Sequence, residues 1–282
     1  MSISCFEDRS PAGICQNALK YPGVEFTFMR SSHDGAVQCL RDVASSGVPV
    51  LLHNYFPPPD KPFVLNLASL DPEIRKCSIE LCCEAMQLTA ELGGKIFGAH
   101  AGFCSDLDPA ILGKPEIQGQ LDVSQFGDRE QALEVFCASV LELVRFGKSM
   151  GVDFMIENHV VAAESGQAGK EWLLLVESDE FHHLHRYLRN QGHQLHVLLD
   201  TGHLNVTAST CGFSRESFYD EVEPYIHAFH LSDNNGLKDQ HLPFNSNAWF
   251  LDRVRQSERP VTLEFHPVSE AVIHESLEVL HA

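Results

Sequence analysis

The sequence predicts an α/β protein, a single-domain (β/α)8 TIM barrel spanning residues 1–282. Three observations carry that reading. Short apolar runs alternate with longer helical patterns along the chain, the repeat that builds parallel strands joined by crossover helices. Eight such units fit within 282 residues, a length suited to one closed barrel. No Gly-rich dinucleotide or phosphate fingerprint follows the first strand, which weakens the runner-up, a doubly wound open sheet.

The elements follow in order. AGICQNA (12–18) is the weakest strand and stands first; VEFTFM (24–29) is β-rich. A helical stretch over about 34–46 leads to VPVLLHN (48–54). The next helix has Asp71 as N-cap, Pro72 in its first position and Gly93 at its end, and leads to KIFGAHAG (95–102). The connection 102–128 is long for a βα loop, and such loops sit over the mouth of a barrel. A helix over about 129–150 precedes VDFMIEN (152–158), and a single helical pattern over 170–192 precedes LHVLLDTG (195–202). YIHAFHLSD (225–233) and PVTLEFHP (260–267) complete the strands, and SEAVIHESLEVLHA (269–282) reads as a last helix.

Side chains alternate faces along a strand, and that parity is informative here. His53 lies opposite Val50 and Leu52, His100 opposite Phe97 and Ala99, and Glu157 opposite Phe154 and Ile156. Asp200 lies opposite Val197 and Leu199, His230 opposite Phe229 and Leu231, and Glu264 opposite Leu263 and Phe265. Each strand therefore turns apolar residues toward the helices and one metal-capable residue into the barrel near its C-terminal end. Taken singly, each is a strand-end residue with a local hydrogen bond. Together they gather carboxylates whose burial is costly unless a cation compensates it. Mixed carboxylate and imidazole donors suit Zn, Mn, Co or Fe(II).

Composition bounds the partners. The formal net charge is −19, from 20 basic and 39 acidic residues, and no Lys/Arg cluster is present, so nucleic acid is disfavoured. No apolar run is long enough for a membrane span, and MSISCFEDRSPAG lacks a signal-peptide pattern, so a cytoplasmic location is expected. Nine cysteines without a C-x-x-C pair read as buried thiols of a reducing compartment. A homodimer is left open.

The motifs IEN (Glu157), DTGH (Asp200, His203), HLSD (His230) and LEF (Glu264) resemble the xylose isomerase-like TIM-barrel superfamily over about residues 48–267. That group includes sugar isomerases, ketose epimerases, inosose dehydratases and type IV apurinic-site endonucleases. The endonuclease branch carries a trinuclear zinc set, and His53, His100, Glu157, Asp200, His203, His230, Asp239, His241 and Glu264 match its residue types in order. On that mapping Glu157, Asp200, His230 and Glu264 hold one ion, His53 and His100 share a second with Glu157, and His203, Asp239 and His241 hold a third. FVLNLAS (63–69) also resembles a segment of that branch. Two departures stand against DNA repair: LPFNSNAWF stands in place of the G-x-G that follows the D-x-H arm, and the DNA-gripping basic residues are not evident in a chain of net charge −19.

The resemblance implies a divalent metal cofactor, one to three ions, and an isomerase or epimerase acting on a small sugar, sugar phosphate or polyol through an enediolate. Glu157 and Glu264 are the candidate acid–base pair, with His203 orienting a substrate oxygen. A di- or trinuclear phosphoester hydrolase of a small non-DNA substrate is the alternative, and a non-catalytic metal- or sugar-binding barrel the third reading. His159, His266, Asn54 and Phe103 are candidate substrate contacts. Tyr55, Phe56, Phe244 and Trp249 are either pocket wall or core. His182 and His185 read as a solvated helix face, His227 as packed beneath a helix, and Asp233 as a loop group beside the site.

Overall fold

The computed structural model describes residues 1–111, 114, 122 and 126–282, so part of the long 102–128 connection lies outside the described residues. Seven strands, β1 (Val24–Phe26), β2 (Val50–His53), β3 (Ile96–His100), β4 (Asp153–Glu157), β5 (Val197–Asp200), β6 (Ile226–Leu231) and β7 (Val261–Leu263), pair in parallel in that order. Helices cover the outside, forming a TIM barrel. No described helix is long and apolar enough to cross a membrane. The nine cysteines are free.

The first stave of the barrel is not at 12–18. Residues Pro11–Ala18 form a helix, because Ser10 caps it by accepting from the Gly13 amide at 3.1 Å and Pro11 occupies its first turn. The gap between β7 and β1 is bridged instead by Met1 and Ser2. The Ser2 amide donates to the Leu263 carbonyl at 2.9 Å and the Glu25 amide to the Met1 carbonyl at 2.8 Å. The pattern over 170–192 also divides, into helices Gly166–Trp172 and Ser178–Asn190, because Leu173–Glu177 leaves the helical path, with Leu175 at φ 56°.

Three layers fill the barrel. Outward residues such as Phe97, Phe154, Ile156, Leu199, Phe229 and Leu263 join the main apolar core beneath the helices. Inside, Met155, Leu198 and Ala228, with Ile96 beside them, form a separate apolar plug. Fully burying a side chain of this size contributes about 1.5–3 kcal/mol. Above the plug the inward positions are polar. Gly98 permits this close approach, since a Cβ there would meet Leu198 Cδ2 at 2.8 Å and His53 Nδ1 at 3.3 Å.

Candidate metal centre at the barrel mouth

Strand parity delivers the expected side chains to one cup at the C-terminal ends of the strands. Glu157, fully buried, is its hub. Its Oε2 lies 3.0 Å from His53 Nε2 and 3.2 Å from His100 Nε2, and its Oε1 lies 3.4 Å from His203 Nδ1 and 3.6 Å from His230 Nδ1. Glu264 Oε2 approaches the same His230 Nδ1 at 3.1 Å.

Asp200 ends β5 and directly caps the helix Thr201–Cys211. Its Oδ1 accepts from the His203 amide at 2.7 Å. The cap explains why β5 stops before Thr201 and why Asp and His sit three residues apart: the cap aims one residue into the barrel and the first helical turn returns the other. The Asp239 arm comes from a turn after β6. The Asn234 side chain receives the Gly236 amide, Gly236 has φ 75°, and Asp233 pairs with Leu242 through backbone hydrogen bonds at 2.8 and 2.9 Å. This fold-back sets His241 Nε2 at 2.9 Å and His203 Nε2 at 3.4 Å from Asp239 Oδ2.

The hydrogen bonds behind these groups suit ion binding. His203 Nδ1–H donates to the Asn158 carbonyl at 3.0 Å and His241 Nδ1–H to the Glu264 carbonyl at 3.2 Å, so both present Nε2 to Asp239. His230 Nε2 is held 3.0 Å from Glu25 Oε2, leaving Nδ1 toward Glu157 and Glu264. Metal-ligating histidines are fixed in this way by a carbonyl or carboxylate on the far nitrogen. Asn54 Nδ2 lies 3.2 Å from His100 Nδ1, and turning that amide end for end gives its partnerless Oδ1 a donor and frees His100 Nε2.

Several buried atoms of the cup make no hydrogen bond: both Glu157 oxygens, Asp200 Oδ2, Asp239 Oδ1, His230 Nδ1 and Glu25 Oε1. Buried carboxylate oxygens without partners are costly, and they are what an ion takes up. Two ligand groups, Glu157–Asp200–His230–Glu264 and His203–Asp239–His241, each bring their donor atoms within 4.8 Å of one another, as do His53, Glu157 and His230. The donor set therefore fits a divalent cation.

Without an ion, protons balance the carboxylates. Burial disfavours imidazolium at His203 and His230, yet the surrounding carboxylates outweigh it and raise both well above the usual histidine value. His241 rises to about 9, again against burial, through Asp239. Burial pushes the Asp200 carboxyl up to about 6, with Glu264 and Glu157 adding to the rise against His203. Burial also acts to raise Glu157 and Glu264, but neighbouring imidazoles hold both below the ordinary carboxylate range.

A cavity of about 550 Å3 opens above the cup. Asn54, Phe103, His159 and His266 line it. His159 is pinned by its Nε2–H to the Ala101 carbonyl at 2.9 Å and is held neutral, its pKa lowered to about 3 by burial and by His100. Tyr55 also lines the cavity, whereas Phe56 and Phe244 are core and Trp249 packs under Arg215. Asp233 is a turn residue accepting from the Asn234 amide. His182 and His185 are not a bare solvated face but pack on Tyr225, His182 Nδ1 lying 3.1 Å from its hydroxyl and the His185 ring stacking at 4.5 Å. Glu25, buried behind His230, joins the site without having been among the residues expected from the sequence. The signal was present, an acid between Val24 and Phe26 in an apolar strand.

Comparison with known proteins places this geometry. Residues 17–282 match the family model described as xylose isomerase-like TIM barrel. The uncharacterized protein MJ1614 of Methanocaldococcus jannaschii is 24% identical over 178 residues, covering 63% of this chain and 55% of the relative, so the match spans about half of that relative's length. Among solved structures, a D-tagatose 3-epimerase-like protein superposes with TM-score 0.69 at 17% identity, covering 100% of this chain and 97% of the other. A putative xylose isomerase from Rhodospirillum rubrum gives TM-score 0.69 at 14% identity, covering 100% and 96%. The TTHB071 protein from Thermus thermophilus, soaked with ZnCl2, gives 0.59 at 19%, covering 99% and 95%. At these identities the structural likeness carries the fold, and with the family match over nearly the whole chain the protein belongs to the xylose isomerase-like TIM barrel family.

Proposed function

We propose that the protein is a divalent-metal-dependent isomerase or epimerase of a small sugar, sugar phosphate or polyol. The observation that carries this reading is the convergence of Glu157, the last residue of β4, and Glu264, the residue after β7, on one ring nitrogen of His230 at 3.6 and 3.1 Å. Two carboxylates placed about one point are suited to moving a proton between the faces of a substrate carbon. Solved structures described as D-tagatose 3-epimerase-like and as L-ribulose 3-epimerase share the fold and lend support.

Glu157, Asp200, His230 and Glu264 are the residues that would hold the principal ion. When bound, it supplies Lewis-acid polarisation of a carbonyl and its neighbouring hydroxyl. One carboxylate of the Glu157–Glu264 pair takes the proton from the carbon beside the carbonyl, and the resulting enediolate is reprotonated by the other carboxylate from the opposite face, or by the first at the adjacent carbon. The first outcome is epimerisation, the second isomerisation. Both carboxylates rest ionised, as a base requires, so the one that reprotonates the opposite face first takes a proton from solvent in the cavity, and the one that took the substrate proton returns it to solvent afterwards. His203, with Nε2 toward the cavity, orients a substrate oxygen, and Asn54, His159, His266 and Phe103 supply wall contacts. The cavity is of small-molecule size, and the net charge of −19 favours a small substrate over nucleic acid.

One observation favours a second reading. His203, Asp239 and His241 form a further ligand group beside the first, as a di- or trinuclear phosphoester hydrolase requires. Asp239→Ala separates the two. An isomerase working with the principal ion keeps its rate within about tenfold, since only a neighbouring ligand is lost. Abolition of activity, with cleavage of a generic phosphoester by the unmutated protein, establishes the hydrolase instead.

A further inference from the structure

A second cluster of metal-capable residues lies at the opposite end of the barrel, beneath the apolar plug. Asp153 opens β4, His196 immediately precedes β5, and His227 is the second residue of β6. His196 Nδ1 lies 3.8 Å from Asp153 Oδ1 and His227 Nε2 lies 3.6 Å from Asp153 Oδ2. The two imidazoles stack at 4.3 Å with an interplanar angle of 14°. One donor atom from each of the three residues falls within 4.8 Å of the others.

Parity explains two of the three placements. Asp153 is four residues before Glu157 and His196 four before Asp200, so both share the inward face of their mouth-facing counterparts. His227 is three before His230 and by parity faces outward, beneath a helix. The structure overturns that expectation. Val197 pairs with Ile226 but Leu198 pairs with Ala228, so His227 is an extra residue in the ladder. A bulge of this kind re-aims a side chain, and here it turns the imidazole toward Asp153 and His196.

We propose that Asp153, His196 and His227 form a divalent-cation site at the barrel floor, separate from the mouth. Two imidazoles and one carboxylate are the donor set of zinc, cobalt and nickel sites. In a tetrahedral site with bonds of about 2.0–2.2 Å, ligand atoms stand about 3.4 Å apart. The observed contacts, 3.8 Å from His196 to Oδ1 and 3.6 Å from His227 to Oδ2 of Asp153, come near that spacing, and binding requires the two stacked rings to tilt so that both nitrogens aim at one point. The side chains remain open to solvent, at 21% for His196, 38% for His227 and 51% for Asp153, so water completes the coordination. The ion ties together β4, the approach to β5 and β6, the strands that carry Glu157, Asp200 and His230 at their other ends. Its role is that of a staple, and no substrate reaches it through the plug formed by Met155, Leu198 and Ala228.

Zinc alone is the probe. The full chain, His227→Gln and His196→Gln/His227→Gln are each dialysed against about micromolar Zn2+, a level that specific imidazole–carboxylate sites bind, and bound zinc is counted by elemental analysis. The expected result is one ion fewer per chain in each variant, with an unchanged circular dichroism spectrum and unchanged turnover. Equal counts in all three proteins, or binding at the floor only at millimolar zinc, overturn the site. Should the variants misfold, the unmutated protein gives the answer by Co2+ titration followed by NMR. Paramagnetic shifts of the His196 and His227 ring protons support the site, and rings that keep their diamagnetic positions after the mouth is saturated overturn it.

Discussion

The mouth and the floor of this barrel are built from the same strands and the same residue types, yet they differ in what surrounds those residues. At the mouth, Glu157, Asp200 and His230 are fully buried and several of their polar atoms have no hydrogen-bond partner. At the floor, Asp153 is half exposed and its carboxylate is solvated. Four residues of strand, about 13 Å, and one layer of apolar side chains separate the two on β4 and β5. Ligand type is therefore a poor guide to the need for an ion, and burial a better one. Buried carboxylates demand compensation by protons or metal, whereas the floor carboxylate is solvated, so an ion bound there is held without being required.

The largest effect expected from this contrast is at Glu157. Glu157→Gln removes both the hub ligand and a proton carrier, and turnover falls at least about a hundredfold, the lower end of general acid–base contributions. Metal analysis should show the mouth ion lost and the floor ion retained. A variant with near-normal turnover would remove the reason for treating the mouth as the reactive end.

Glu25→Gln follows. Glu25 is not among the residues lining the mouth cavity but holds His230 Nε2 at 3.0 Å, so its loss lets the imidazole turn. Zinc affinity at the mouth should drop about 10- to 100-fold, as for other outer partners of ligating histidines. Mn2+ or Zn2+ titration measures it; unchanged affinity would mean that His230 is fixed by packing alone.

Proton linkage is next in size. Without an ion, His203, His230 and His241 carry raised pKa values, the last about 9. Ion uptake at pH 7 must displace those protons, so affinity at the mouth rises with pH toward about 9. Calorimetry in buffers of different ionisation enthalpy should register proton release on Zn2+ binding by the His196→Gln/His227→Gln protein, in which the mouth alone binds. The stability of the metal-free protein runs the other way. A histidine raised in the folded state stabilises fully below its unfolded value near 6.5, and the His241–Asp239 pairing is lost as pH climbs through about 9. Thermal melts of chelated protein that do not decline over that interval would contradict the ionic balance described for the mouth.

The smallest effect is Asp153→Asn. Zinc at the floor should weaken while turnover changes less than about twofold, the behaviour of a surface substitution remote from the reacting groups.

Much of the mouth was legible in the sequence because it obeys one rule. A polar residue flanked by apolar neighbours in a short strand points inward, and six strands repeat the pattern from His53 to Glu264. Asp239 and His241 came instead from family resemblance, since their position depends on a turn that parity does not describe. The misses have local causes. At 12–18 a Ser-Pro helix start outcompeted a weak strand pattern, and the first stave was formed by Met1 and Ser2, a segment too short to show alternation. Glu25 was passed over because it stands second in VEFTFM, whereas the rule looked for metal-capable residues near the C-terminal end of each strand. His227 faces the floor because of a bulge, and an inserted residue is invisible to a rule that counts by twos.

The most direct test of the proposed chemistry follows carbon-bound protons. Metal-loaded protein is incubated with a panel of ketoses, aldoses and their phosphates in D2O, and the sugars are read by NMR. Deuterium entering at the carbon beside the carbonyl, together with formation of an epimer or isomer and loss of both in Glu157→Gln and Glu264→Gln, is the result this account predicts. No exchange into any of these substrates, with phosphoester cleavage by the same preparation that disappears in Asp239→Ala, would contradict it.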